Sequence, residues 1–186
     1  PDDITVDCAE LVPAATDLTA TDNCDAAITV APVASTENIS DCGNNFILTR
    51  TWTFTDACDN RSEIVQIITV LDNRAPEVPD APASQTYACT DDVPAAETLT
   101  ATDVCDGEIT GVARDERTDG DCPNAYTLVR TWTFTDACGN ASSISQNIIV
   151  EDNEAPVLPT APDDITVDCA ELVPAATDLT ATDNCD

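Results

Sequence analysis

The chain predicts an all-β protein of tandem immunoglobulin- or fibronectin-III-like β-sandwich domains joined end to end by Pro-containing linkers. Three observations carry that prediction. A segment with the two-residue period of a strand occurs twice, a four-cysteine pattern recurs at offsets of 80 or 81 residues, and the hydrophobic content is 42%. That content, arranged in regular apolar strands, argues for folded domains despite heavy acidity.

The repeated segment is RTWTFTDAC, identical from Arg50 to Cys58 and from Arg130 to Cys138. Threonines alternating with aromatics put Trp52 and Phe54, and Trp132 and Phe134, on one buried face and the threonines on the other. Asp-Ala-Cys-Asp/Gly-Asn is turn chemistry, and IVQIITV or ISQNIIV follows as the returning strand, so residues 46 to 71 read as a long hairpin. Upstream, ITVDC at 4 to 8 and DLTATD at 17 to 22 read as two strands around a Pro13 loop. ITVAPVAS from 28 reads as a third strand broken by Pro32, and TENISDCGNN at 36 to 45 as loop with short edge strands. Six or seven short strands in about 80 residues, all compatible with antiparallel pairing, describe a sandwich. Arg50 and Arg130 fall on the aromatic face. The expectation there is stacking on the indole with the charged head in water or on an Asp.

Residues 162 to 186 copy residues 1 to 25 without a change. A period this long is one small domain per repeat. The predicted domains are 1–74, 75–154 and 155–186, the last an N-terminal portion, and the chain reads as a window on a longer array. The linkers VLDNRAPEVPDAP and VEDNEAPVLPTAP share V-x-D-N-x-A-P, and their prolines favour an extended, semi-stiff connection.

Thirty-six acids against six arginines, with neither Lys nor His, give a net charge of -30. Such a surface repels nucleic acid and anionic membranes and attracts divalent cations. No apolar run approaches the ~20 residues of a membrane-spanning helix. Ten cysteines spaced 16 to 18 apart within each set, with no His, read as disulfides of an oxidising compartment rather than zinc ligands. Four cysteines allow three connectivities. Sandwich topology favours the crossed one, because Cys8 and Cys42 fall at one end and Cys24 and Cys58 at the other. The expected bonds are Cys8–Cys42, Cys24–Cys58, Cys89–Cys122 and Cys105–Cys138, each closing a loop of about 34 residues worth ~3–4 kcal/mol in the chain-entropy model.

The succession D-I-T-V-x-C, T-A-T-D-N-C-D, R-T-W-T-F-T-D-A-C-G-N and V-x-D-N-x-A-P resembles HYR-like repeats, immunoglobulin-like modules found in tandem in giant secreted proteins of the Bacteroidota. The resemblance implies export by type IX secretion and display at the cell surface, in adhesins such as those of gliding motility.

The linker frame is also similar to the Asp-Asn-Pro linkers of cadherins, where calcium stiffens domain junctions. Asp72 and Asn73 are expected near Asp103, Asp106 and Asp136, and Asp152 and Asn153 near Asp183 and Asp186. Calcium takes six to eight oxygens, which such clusters supply, although an Asp in T-D-x-C also makes an Asx-turn without a metal. Without His or Lys there is no imidazole base and no Schiff base, and a small sandwich offers no cleft, so no enzyme is expected.

The function expected is a load-bearing, disulfide-stapled stalk or filament segment of a surface adhesin. Its partners are other repeats of the same chain, with any surface or glycan ligand bound elsewhere. Repeated ligand-binding modules are one alternative; exposed aromatics in the loops are nearly absent beyond Tyr87. A self-assembling fibre is the other, and the charge opposes it.

Overall fold

The computed structural model of the protein describes residues 1–24 and 26–185. Among the described residues the regular structure is β-strand together with three one-turn 3-10 segments, as the alternating apolar pattern requires. In the first repeat β5 (Phe46–Thr55) and β6 (Arg61–Val70) form the long hairpin, with Trp52 opposite Ile64 and Phe54 opposite Ser62. β4 (Val33–Asn38) lies antiparallel on the other edge of β5. Pro32 separates β4 from β3 (Ile28–Val30), which pairs instead with β2 (Leu18–Ala20). A strand expected to be irregular is thus two strands in different sheets, parted where the chain lacks an N–H donor.

β1 (Ile4–Val6) runs parallel to β6, with Ile4 opposite Ile68 and Val6 opposite Val70. This corrects the expectation of wholly antiparallel pairing. The first and last strands are not joined by a turn, so no hairpin fixes their relative direction, and a crossover through the other sheet permits the parallel pair.

The second repeat repeats the plan. β10 (Val112–Asp119), β11 (Ala125–Thr135), β12 (Ala141–Glu151) and β7 (Gln85–Tyr87) make the larger sheet, again with a parallel edge. β8 (Thr100–Asp103) pairs with β9 (Gly107–Thr110). Trp52 and Trp132 are each 1% exposed, so the alternation in RTWTFT sets the core as read. Ala101 on β8, Trp132 and Phe134 on β11 form one buried cluster, packed by Leu99, Ile109, Ile144 and the linker residue Val78. Tyr126, Leu128, Ile148 and Val150 form another.

The two arginines on the aromatic face do not reach water. Arg50 is buried and donates to the carbonyl of Pro13. Arg130, also buried, donates to the carbonyl of Pro94 at 3.0 Å and to both carboxylate oxygens of Asp115 at 2.8 and 2.9 Å. Each therefore ties the proline loop between its repeat's first two strands to the long hairpin. The Trp52 indole N–H adds a bond to Thr16 O at 3.0 Å. Arg117 stacks over the Tyr126 ring, 3.6 Å from its centroid.

The chain divides into two compact units, one of residues 1–80, 98–113 and 132–144, the other of residues 81–97, 114–131 and 145–186. The first unit thus holds the first repeat together with two segments of the second.

Candidate functional site

The linker after the first repeat is incorporated into structure rather than left as a spacer. Glu77 pairs through both backbone groups with Thr102 on β8, at 2.8 and 3.0 Å, and Val78 enters the Trp132 cluster. Val157 and Thr182 repeat this bridge in the second unit, at 2.7 and 3.1 Å.

The cysteines follow. Cys8 bonds to Cys105, Cys42 to Cys138 and Cys89 to Cys185, with Cα separations of 5.3, 4.9 and 5.2 Å. All four expected bonds joined cysteines within one repeat; the bonds that form join a cysteine of one repeat to a cysteine of the next. Cys8 does not meet Cys42, Cys89 does not meet Cys122, and Cys105 does not meet Cys138. Cys24 and Cys58 are exposed and outside any disulfide, as are Cys122 and Cys169. Cys8 and Cys42 do share one end of their repeat, buried at 0% and 9% exposure. Their bonded partners, Cys105 and Cys138, lie in the second repeat's pair of cysteine loops. A single rule describes the three bonds: first cysteine to second, and third to fourth, always one repeat onward.

Polar contacts in the first unit reinforce the bridges. Asn44 Nδ2 donates to Asp106 Oδ1 at 2.9 Å, and Asn140 Nδ2 to the backbone carbonyl of Asp72 at 3.3 Å. The Asp72 amide donates to Asn45 Oδ1 at 2.7 Å. Asn44 and Asn45 lie in a stretch that reads only as loop and Asn140 closes the Asp-Ala-Cys-Gly-Asn turn, so nothing local marks them for contacts with another repeat.

Four carboxylates gather around Asp72, beside Cys105. Asp72, Asp103 and Asp136 are buried, while Asp106 is exposed. Carboxylate oxygens of Asp72, Asp106 and Asp136 lie within 4.8 Å of one another, and Asp72 and Asp103 are equally close, with Cys105 Sγ alongside. Three of the four acids are held by hydrogen bonds, Asp103 and Asp136 within their own turns and Asp106 from the other cysteine loop. Asp103 Oδ1 accepts from the Cys105 and Asp106 amides, Asp106 Oδ2 from the Ala137 amide, and Asp136 from the Asn140 amide and side chain. Asp72 Oδ1 accepts only a 3.3 Å bond from the Arg74 amide. Its Oδ2 is buried without a hydrogen-bond partner among the described residues. Burial, reinforced by the charges of Asp136, Asp103 and Asp106, pushes the Asp72 carboxyl above its usual range.

The structure thus brings Asp72, Asp103, Asp106 and Asp136 together, and leaves Asn73 exposed beside them. In the second unit Asp152, Asp183 and Cys185 are likewise grouped within 4.8 Å, Asn153 is exposed, and Asp186 lies outside the described residues.

No helix among the described residues is long and apolar enough to cross a membrane. A family model, HYR-like domain with 4 cysteines, matches residues 1–70 and 77–150. No curated protein sequence matches the chain.

Proposed function

We propose a function from one premise: the chain belongs to the family of HYR-like domains with 4 cysteines. Such repeats are adhesion-associated, immunoglobulin-like and non-enzymatic. The chain acts as a structural, load-bearing segment of a secreted surface adhesin, in which successive repeats are locked to one another by paired disulfides. The observation that carries this reading is the register of the bonds. Each of the three joins a first- or third-position cysteine to a second- or fourth-position cysteine of the following repeat. A crosslink inside one domain shortens the length released when that domain unfolds. A crosslink between domains also carries tension past the noncovalent interface.

The exposed cysteines extend the argument. Cys24 and Cys58 occupy the positions of Cys105 and Cys138, and take the first and third cysteines of a preceding repeat as partners wherever one is present. Beside them a groove of about 120 Å³ is lined by Ala20, Ile28 and Phe54 together with Asp22 and Asp56. The corresponding Ala101, Ile109 and Phe134 are packed by Val78 of the linker. A linker of the same V-x-D-N-x-A-P-x-V pattern suits that groove. Formation of each bond passes two electrons and two protons from a thiol pair to a disulfide-type oxidant of the exporting compartment. The family resemblance, rather than the geometry, points to a cell-surface array exported by type IX secretion and used in attachment or gliding.

Non-reducing proteolysis with mass spectrometry tests the register. Crosslinked peptides joining Cys8 to Cys105 and Cys42 to Cys138 are expected; a dominant Cys8–Cys42 peptide would overturn it. Single-molecule stretching tests the mechanical role. Reductant is expected to lengthen the extension released per repeat and lower the force survived, and traces unchanged by reductant refute the load-bearing reading.

A further inference from the structure

Four carboxylates meet in the first unit, three of them buried, and among the described residues no arginine lies within ion-pair distance of any of the four. The nearest in sequence, Arg74, pairs with Asp7 at 3.8 Å. The chain has no Lys or His to supply the charge. Hydrogen bonding accounts for the other three: Asp103 and Asp136 are Asx-turn acceptors of the TDxC motif, and Asp106 accepts from the Ala137 amide and the Asn44 side chain. It does not account for Asp72, which is 4% exposed and carries an unpartnered buried oxygen. An orphaned buried carboxylate oxygen among like charges is costly unless something positive completes it.

We propose that Asp72, Asp103, Asp106 and Asp136 form a binding site for a divalent cation of the hard, oxygen-seeking class, with Ca²⁺ the best match. The donor set selects the class. Cys105 Sγ lies beside the carboxylates but is bonded to Cys8, so no thiolate is offered to a soft metal, and no imidazole exists to favour zinc. What remains is carboxylate oxygen, with the Asn45 and Asn140 side chains close by. Calcium accepts such irregular oxygen sets of mixed carboxylate, amide and water, whereas magnesium demands a stricter octahedron. Asp72 comes from the linker after the first repeat and the other three acids from the second repeat's cysteine loops, so an ion there ties the same segments as the Cys8–Cys105 and Cys42–Cys138 bonds. The inference rests on these oxygens and holds whether or not the chain bears load.

The test is calorimetric titration of CaCl2 into the oxidised 186-residue chain after chelator treatment, with ionic strength held by NaCl, alongside thermal melts. Saturable binding that raises the melting temperature of the first unit is expected. Asp72→Asn is expected to weaken it by about tenfold or more. Asp91→Asn, at an exposed acid remote in the chain, leaves it unchanged. Should Asp72→Asn disturb folding, Asp106→Asn at an exposed position carries the same expectation. Absence of saturable heat or thermal shift up to ~10 mM Ca²⁺, beyond the range of extracellular calcium modules, overturns the site. So does equal affinity in Asp72→Asn, Asp106→Asn and Asp91→Asn, which would mark diffuse attraction to the net charge.

Discussion

The loop ends of the two repeats share their sequence but not their surroundings. TDAC reads the same at 55–58 and 135–138, yet Asp136 is buried and Cys138 bonded, while Asp56 is partly exposed and Cys58 is exposed and unbonded. Asp103 is 4% exposed, and its counterpart Asp22 is only partly buried. The strand cores show no such split, since both tryptophans are equally buried. A repeat therefore builds its own hydrophobic core from its own hairpin, but its cysteine loops are finished by residues of the repeat before it. The core is autonomous and the loop end is shared. Asp56 still accepts from the Asn60 side chain and amide, which hold its carboxyl below its usual range, so the turn is present where no neighbouring repeat covers it.

The strongest way to break this contrast is to delete cysteines at the two ends. Cys42→Ser with Cys138→Ser removes a bond of sequence separation 96, worth ~4–5 kcal/mol in the chain-entropy model, and less where the neighbouring Cys8–Cys105 bond already restrains the same loop. Cys24→Ser with Cys58→Ser, a change of the same chemistry, is expected to shift stability within about 0.5 kcal/mol. Urea unfolding of the two doubles decides. Equal losses would mean that the first repeat's loop end is not open.

The next effect concerns how tightly the second repeat's core is packed. A methyl group at Gly111 would sit 2.6 Å from the Phe134 ring, and Phe134 is fully buried. Gly111→Ala is expected to destabilise the first unit by ~1–3 kcal/mol through overpacking. A thermal melt matching the unmodified chain would show that the Phe134 ring has room to shift.

The period-2 pattern made the hairpins, the Trp/Phe core and the sandwich legible, because burial of one strand face is decided by the residues of that strand. The bonds were not legible for a reason particular to arrays. When cysteines recur every 80 or 81 residues, each pairing within a repeat has an alias one repeat onward, and the bonds that form are aliases of Cys8–Cys24 and Cys42–Cys58, the sequential pairing that sandwich topology sets aside because it joins opposite ends of one repeat. Only the docking of Val78 and Glu77 on the second repeat separates the two, and a Pro-rich segment such as VLDNRAPEVPDAP reads equally well as a spacer. The parallel edge β1–β6 was hidden likewise, since no turn joins those strands. The acid set was readable from the V-x-D-N linker and the TDxC loops. The burial that singles out Asp72, and the parts played by Asn45 and Asn140, depend on tertiary contacts no local pattern encodes.

A subtler difference lies in the hairpin turns themselves, Asp56 to Asn60 and Asp136 to Asn140. The residue before the closing Asn adopts a left-handed conformation in both, Asp59 at φ 66° and Gly139 at φ 88°. Nothing lies within 4 Å of a Cβ placed on Gly139, so the cost of a side chain there is purely conformational. Gly139→Ala is expected to cost about 1 kcal/mol. Asp59→Gly should gain a few tenths, the relief of strain being offset by the freer unfolded chain. Denaturant midpoints with unchanged slope check both signs, and a stabilising Gly139→Ala would contradict the turn geometry.

The smallest expected effect separates the two buried arginines. Arg130 has a carboxylate partner, whereas Arg50 faces Ala34 across the β4–β5 ladder and leans on the Pro13 carbonyl. The Arg130 hydrogen bond and charge hold the Asp115 carboxyl below its ordinary value near 3.8, against the opposing effect of burial. A depressed folded value means that the folded state resists protonation more than the unfolded one. The pair's contribution is then complete above the ordinary carboxylate range, and is lost as pH falls through it and the lower folded value. Because the Asp115 side chain is 38% exposed, solvent screening keeps that contribution to about 1 kcal/mol or less. Asp115→Asn should therefore unfold at lower denaturant than the unmodified chain at pH 7, with the gap closing toward pH 3. A gap that persists at pH 3 would show that Asp115 works through packing rather than through its charge on Arg130.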